Sequence, residues 1–229
     1  MAGKRHYDDG CAAAHALELV GERWALLVIR ELMLGPRRFT DLRTALPGIS
    51  PNVLTQRLDE LERSSILVRK KLPPPASVRV YELTDWGREL EPVIREIGRW
   101  AARSPSFPFG RPISANSLVL SLRTMFDASR ARNMAGRIGI VSGGMEFCAD
   151  IRNGNMTLEP ESVAGCDVRI SGDPNALAMV VYAGRPLAEA ERSKEISVVG
   201  DKALAKRFIA CFVLPGRAPE THACPATPA

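Results

Sequence analysis

Long apolar runs are missing from this chain of 229 residues. No stretch approaches the roughly 20 apolar residues that a membrane helix needs. The start, MAGKRHYDDG, has no hydrophobic segment of the kind a secretory signal carries. No membrane is therefore expected as a partner, and the expected location is cytoplasmic. Cysteine is sparse and unpatterned: Cys11, Cys148, Cys166, Cys211 and Cys224 are an odd set without a C-x-x-C pair. That argues against both a disulfide framework and a zinc knuckle, and favours reduced thiols. His6, His15 and His222 are the three histidines, all near the ends or in the first helix. No nucleophile, base and orienting group can be assembled around them, so an enzyme is not expected. GRIGIVSGG is rich in glycine, yet it lacks the lysine and the strand-to-helix setting of a phosphate loop. Neither a cofactor nor a metal is expected.

What the chain does have is an ordinary globular composition, 45% hydrophobic and 25% charged, with a net charge of +5. There is room for one large domain or two small ones, and two is the preferred reading. A modest basic excess permits nucleic-acid binding without requiring it, so the argument rests on where the cations sit.

From Cys11 the pattern suggests two helices, CAAAHALELVGER and WALLVIRELML, the second ended by Gly35-Pro36. Arg37, Arg38 and Phe39 follow. Thr40 with Asp41 is expected to cap the short helix DLRTAL, and Pro47-Gly48 turns into SPNVLTQRLDEL. In that stretch Ser50 can cap and Pro51 suits the first helical position, because its missing N–H would be an orphan there. Leu54, Leu58 and Leu61 recur at helical spacing and form a buried stripe. Asn52, Thr55 and Gln56 then face outward near the helix start, where amide and hydroxyl side chains can bond base edges and phosphates. Asp59 and Glu60 lie farther along and would repel a phosphate backbone, which limits contact to the first turns.

ILVRKKL and VRVYEL read as a β-hairpin around PPPAS, with Lys70, Lys71 and Arg79 on or beside its tip. Thr84 and Asp85 are expected to open a third long helix with Trp86, Leu90, Val93, Ile94, Ile97 and Trp100 on a wide apolar side. Residues 104–113 have prolines and glycine without periodicity and are the expected linker. Beyond it come short strands (GRIGIV, MEFCADI, NMTLEP, DVRIS, ISVVG) and helices near Pro174 to Ala183 and Lys202 to Val213. Asp173 and Asp201 are placed to cap those helices. The expected class is α+β: a first domain over residues 1–103, a curved sheet with helices on one face over 114–215, and a flexible tail over 216–229.

The first hundred residues resemble the HxlR family of bacterial winged helix-turn-helix transcription regulators. The likeness is carried by the Cys11 start, LVGERWALLVIRELMLGPRRFTDLRTALPGIS, PNVLTQRLDELE, Arg69 to Lys71 and YELTDWGREL. It implies a homodimer, built through the first helix and residues 85–101, that binds a pseudo-palindromic operator in double-stranded DNA. Residues 114–214 resemble a sterol-carrier-protein-type lipid-binding module, in GRIGIV, MEFCADI, GNMTLEP, CDVRISGDPNAL and ISVVGDKALAKRF. That likeness implies an apolar tunnel and a small apolar ligand as effector.

Each of these side chains also has a plainer account. Asn52, Thr55 and Gln56 can be a solvated helix face, and Arg37, Arg38, Lys70, Lys71 and Arg79 ordinary surface charge. Their order along the chain, with Ser50 at the helix start, matches the three DNA-facing surfaces of a winged helix. Cys11 sits at a helix start that favours thiolate, with His15 one turn on, while Asp8 and Asp9 oppose it. The HxlR likeness makes Cys11 a candidate redox sensor; packing is the other reading. Cys148, Cys166 and Cys211 read as small core residues. A lipid or hydrophobic-metabolite carrier with a dimerising N-terminal domain is the alternative function.

Overall fold

The structure is a computed structural model, described here for residues 7–73 and 78–219. Most of the proline-rich hairpin tip, most of the tail, and His6, His222 and Cys224 lie outside the described residues. The chain divides into two compact units. One comprises the residues up to Ile94 with Ile113–Leu118; the other comprises Arg95–Pro112 and the chain from Val119 onward.

The first unit begins with α1 (Ala12–Val20), α2 (Ala25–Leu32), α3 (Phe39–Ala45) and α4 (Pro51–Arg63), followed by the antiparallel hairpin β1 (Leu67–Lys71) and β2 (Arg79–Leu83). Its core is assembled from one apolar face of each element: Val28, Ile29 and Leu32 of α2, Leu42 of α3, Leu54, Leu58 and Leu61 of α4, and Leu67 and Leu83 of the hairpin. The leucine stripe expected in α4 is therefore what fixes that helix. Capping at α3 differs from expectation. Arg38 is the N-cap, and its backbone N–H donates to the Asp41 carboxylate at 3.2 Å, so the helix starts at Phe39 rather than after Thr40.

The third long helix is in fact two, α5 (Asp85–Arg88) and α6 (Glu91–Ala101). Pro92 accounts for the break, because inside a continuous helix it would lack the bond to Arg88 and clash with that carbonyl. The chain tightens instead, with Leu90 N–H on the Gly87 carbonyl at 3.3 Å, and Pro92 falls in the first turn of α6 where no N–H is needed. Gly87 is obligatory for another reason: a Cβ there would collide with the Ile66 carbonyl, so α5 can lie against the hairpin only without a side chain at that point. The Thr84 hydroxyl locks the same corner, accepting from Gly87 N–H at 3.0 Å and donating to the Ser65 carbonyl at 2.8 Å.

Residues 113–118 pack on α2 through polar groups that the sequence pattern did not reveal. Asn116 is fully buried at the start of α7 (Ala115–Met125), donating to the Glu31 carbonyl at 2.6 Å. Buried Glu31 receives Arg30 at 2.8 Å and the Ser114 hydroxyl at 2.7 Å. Glu31 sits on the apolar side of α2 because these donors replace the water it gives up.

The second unit holds a five-stranded sheet in the order β5-β4-β3-β6-β7, from β3 (Ala135–Ser142), β4 (Met145–Arg152), β5 (Asn155–Pro160), β6 (Val168–Gly172) and β7 (Ile196–Gly200). β3 pairs parallel with β6, and the other neighbours are antiparallel. Ile138, Ile140, Phe147, Ala149, Ile151, Val168, Ile170, Ile196 and Val198 make its apolar face by strand alternation. The helices here are α8 (Pro174–Tyr182), α9 (Leu187–Arg192) and α10 (Lys202–Ile209), of which α9 and α10 contact the sheet. Asp173 and Asp201 cap α8 and α10 as expected. α7 and α9 were not anticipated; α9 is only six residues long, too short for its periodicity to register. Among the described residues no helix is long and apolar enough to cross a membrane.

Candidate nucleic-acid interface

The sequence fixes the front of α4 through its cap. The Ser50 hydroxyl accepts from Val53 N–H at 3.3 Å, and Pro51 opens the helix. With Leu54, Leu58 and Leu61 buried beneath, Asn52, Thr55 and Gln56 are exposed together on one side of the first two turns. Gln56 is oriented by its own helix, its amide donating to Glu60 at 3.0 Å.

Charge pairs hold this helix against its neighbours. Buried Arg57 binds Glu60 and lies 3.4 Å from Glu22, which ties α4 to the segment before α2. Its Nε finds no partner among the described residues, a desolvation cost carried at the base of the exposed face. Arg69 on β1 reaches back to Asp59 and, at 3.1 Å, to Glu62, with its guanidinium 5.5 Å from the centre of the Tyr81 ring. Asp59 and Glu60, read from sequence only as a repulsive end of the face, are thus partly neutralised, Asp59 by fastening the hairpin to the helix and Glu60 by pairing with Arg57 within α4. Spacing alone had no means of showing this, because Arg69 and Asp59 meet only where the chain turns from α4 into β1.

The cations differ in how free they are. Arg37 is half-buried: its backbone pairs with Tyr81, extending the hairpin edge, and its guanidinium donates to Asn116 at 2.7 Å. Arg38 is exposed at the N-cap of α3. Lys70 is bound to Glu82 at 2.7 Å, and that hydrogen bond, with Arg88 on the same carboxylate, holds Glu82 below the usual carboxylate range. Lys71 and Arg79 stand directly across from each other at the loop end of the hairpin, both exposed. Like charges opposed in a ladder are unfavourable unless an anion lies between them.

Cys11 is exposed at the N-cap of α1, and the N–H groups of Ala13 and Ala14 lower its thiol pKa. His15 turns to Glu18 at 3.5 Å.

A capped, leucine-anchored helix after a tight turn, with a basic hairpin behind it, defines a helix-turn-helix DNA-binding protein. Comparison with known proteins agrees. Residues 19–106 match the model of the HxlR-like helix-turn-helix family. The chain is 39% identical over 95 residues to the uncharacterized HTH-type transcriptional regulator YvaP of Bacillus subtilis, spanning 40% of this chain and 87% of that one. It is 41% identical over 86 residues to the HTH-type transcriptional regulator YodB of the same organism, spanning 38% and 77%. Among solved structures, the reduced form of YodB from B. subtilis is 36% identical, covering 43% of this chain and 97% of that one, with a TM-score of 0.39. The chain belongs to the HxlR-like helix-turn-helix family and is a DNA-binding transcriptional regulator.

Proposed function

We propose that the protein acts, without catalysing a reaction, as a cytoplasmic homodimer on a pseudo-palindromic operator in double-stranded DNA. Asn52, Thr55 and Gln56 read base edges in the major groove, while Arg38, Ser50, Lys71 and Arg79 hold phosphates, with Arg37 and Lys70 in support from their intramolecular bonds. The observation that carries this reading is Lys71 and Arg79, without an ion pair among the described residues, facing each other beside a helix whose exposed front is polar. Dimerisation runs through α1 and residues 85–101. Trp86, Val93, Ile97 and Trp100 are exposed there, Trp100 at 76%, and four large apolar side chains in that state favour a covering partner.

The remainder is organised as a linker over 104–113 and a sterol-carrier-like module over 114–215 that accepts a small apolar effector. The apolar sheet face under helices supports that assignment, and the effector acts by selecting one spacing of the two recognition helices. Cys11 is a second input, an exposed thiol made acidic by a helix start, suited to reaction with oxidants or electrophiles.

A mobility-shift titration on DNA flanking the protein's own gene tests the reading. Binding is expected to be sequence-selective and to weaken steeply with salt. Gln56→Ala is expected to cost about 1–3 kcal/mol of specific binding and leave the salt slope nearly unchanged. Operator affinity unaffected by Gln56→Ala would show that this side chain does not read bases.

A further inference from the structure

A pair of thiols in the second unit lies outside this account. Cys148 Sγ and Cys166 Sγ are 3.4 Å apart, both as free cysteines. They are 18 residues apart in sequence and reach each other across the outer face of the sheet, the side away from the apolar core. Gly139 makes the meeting possible. It is the β3 partner of Cys148 in the ladder, and a Cβ on it would press into Val163 and lie 3.3 Å from Cys166 Sγ.

The connection between β5 and β6 that carries Cys166 is moored at several points. Arg137 binds Glu161 at 2.6 Å with its side chain, and its backbone N–H donates to Asp167 at 2.7 Å. Val163 N–H donates to Glu146 of β4 at 3.0 Å. Between these moorings the chain is mostly exposed, and Gly165 at φ +80° leaves it a turn that can adjust. Cys148 is buried and Cys166 only half-buried. A small-molecule oxidant can therefore reach Cys166, while Cys148 stands behind it with its sulfur 3.4 Å away.

We propose that Cys148 and Cys166 form a reversible disulfide in response to hydroperoxide, stapling the β5–β6 connection to the sheet. The Cys166 sulfur attacks the peroxide; an S–O bond forms, the O–O bond breaks, and the leaving hydroxide takes the thiol proton to become water. The Cys148 sulfur then attacks the Cys166 sulfur as it gives up its proton; the S–S bond forms, the S–O bond breaks, and the leaving hydroxide takes that proton to become the second water. Two thiols lose two electrons to one hydrogen peroxide, giving one disulfide and two waters. Reduction by a dithiol reverses the step by exchange. Burial, and then Cys148 itself, push the Cys166 thiol up to about 11, so the first step is slow at neutral pH and accelerates as pH rises. This proposal is independent of DNA binding and of Cys11.

The test uses the reduced full-length chain, treated with hydrogen peroxide, alkylated, and digested without reduction for mass spectrometry. The expected product is the Cys148–Cys166 cross-linked peptide, lighter by two hydrogens than the separate thiol peptides, lost again on treatment with dithiothreitol. Its rate of formation should rise about tenfold per pH unit below 11, following the thiolate fraction. In Cys148→Ser, Cys166 should accumulate oxygen instead of a cross-link. The proposal is overturned if peroxide leaves both thiols alkylatable, if Cys166 goes on to sulfinic acid in the unmutated chain, if Cys166 pairs with Cys11 or Cys224, or if the cross-link forms only after denaturation. Because the main readout needs no variant, a poorly folding Cys148→Ser does not affect the outcome.

Discussion

Two of the β-hairpins of this protein treat charge in opposite ways. In the ladder of β3 and β4, Arg137 stands opposite Asp150, while in that of β1 and β2, Lys71 stands opposite Arg79. The first is the arrangement that stabilises a sheet, and the second is one that a sheet alone would avoid. Around Arg137 the compensation continues, through Glu161 and the Asp150–Arg152 pair at 2.9 Å. Around Lys71 and Arg79 it stops among the described residues, although the same hairpin pairs Lys70 with Glu82 and Arg69 with Asp59 one and two residues away. Cations that close their charge within the fold belong to architecture. Cations left facing each other at the end of a ribbon are where, in the function proposed above, a DNA backbone supplies what the protein withholds.

The contrast can be broken most strongly from beneath. Leu58 is fully buried under the exposed face of α4, and Leu58→Ala should cost about 2–5 kcal/mol of unfolding free energy, measured by denaturant titration. DNA binding should fall with it, because the cap and the polar front depend on that packing. A weaker and more selective effect is expected from Lys71→Ala combined with Arg79→Ala. Each lost phosphate contact should lower the salt slope of DNA binding by about 1, uniformly across sequences, while Asp150→Ala should leave the slope unchanged. Lys71→Glu sharpens the point: it converts the like-charge pair into an opposite one and should raise hairpin stability by about 0.2–1 kcal/mol while weakening DNA binding. Thermal melting and mobility shift on the same sample would show whether the two properties part in this way.

The smallest expected effect belongs to the second unit and depends on pH. Hydrogen bonds from Arg185, then from Ser193, hold the Glu195 carboxyl at about 2 against an ordinary value of 4.5. A carboxyl with a depressed folded pKa adds stability in full above its unfolded value and loses it as pH falls through the folded one. The melting-temperature difference between the unmutated chain and Glu195→Gln should therefore be constant above about pH 5, decline as pH falls, and vanish only below pH 2. The charge is exposed, so the difference should be small and decrease with salt. A difference that persists unchanged to pH 2 would mean that the pair is not what sets this carboxyl.

Local pattern was enough to recover much of this protein. The Leu54, Leu58 and Leu61 stripe, the Ser50 cap, the hairpin strands and the aspartate caps of α8 and α10 are each specified by residues within a turn or two of one another, and they stand where periodicity and capping put them. α6 was legible as a helix but not as a separate one, because its apolar spacing runs unbroken across Pro92 while the backbone cannot. Tertiary structure alone decided which charges are spent. Arg37 meets Asn116, Glu31 meets Ser114, Arg69 turns back to Asp59, and Cys148 finds Cys166, each across a separation that carries no periodic signal. Hydrophobic spacing reports the face an element buries, since burial scales with apolar area along that one element. The partner of a polar group depends on a distance in space of a few ångströms, which only the assembled chain defines.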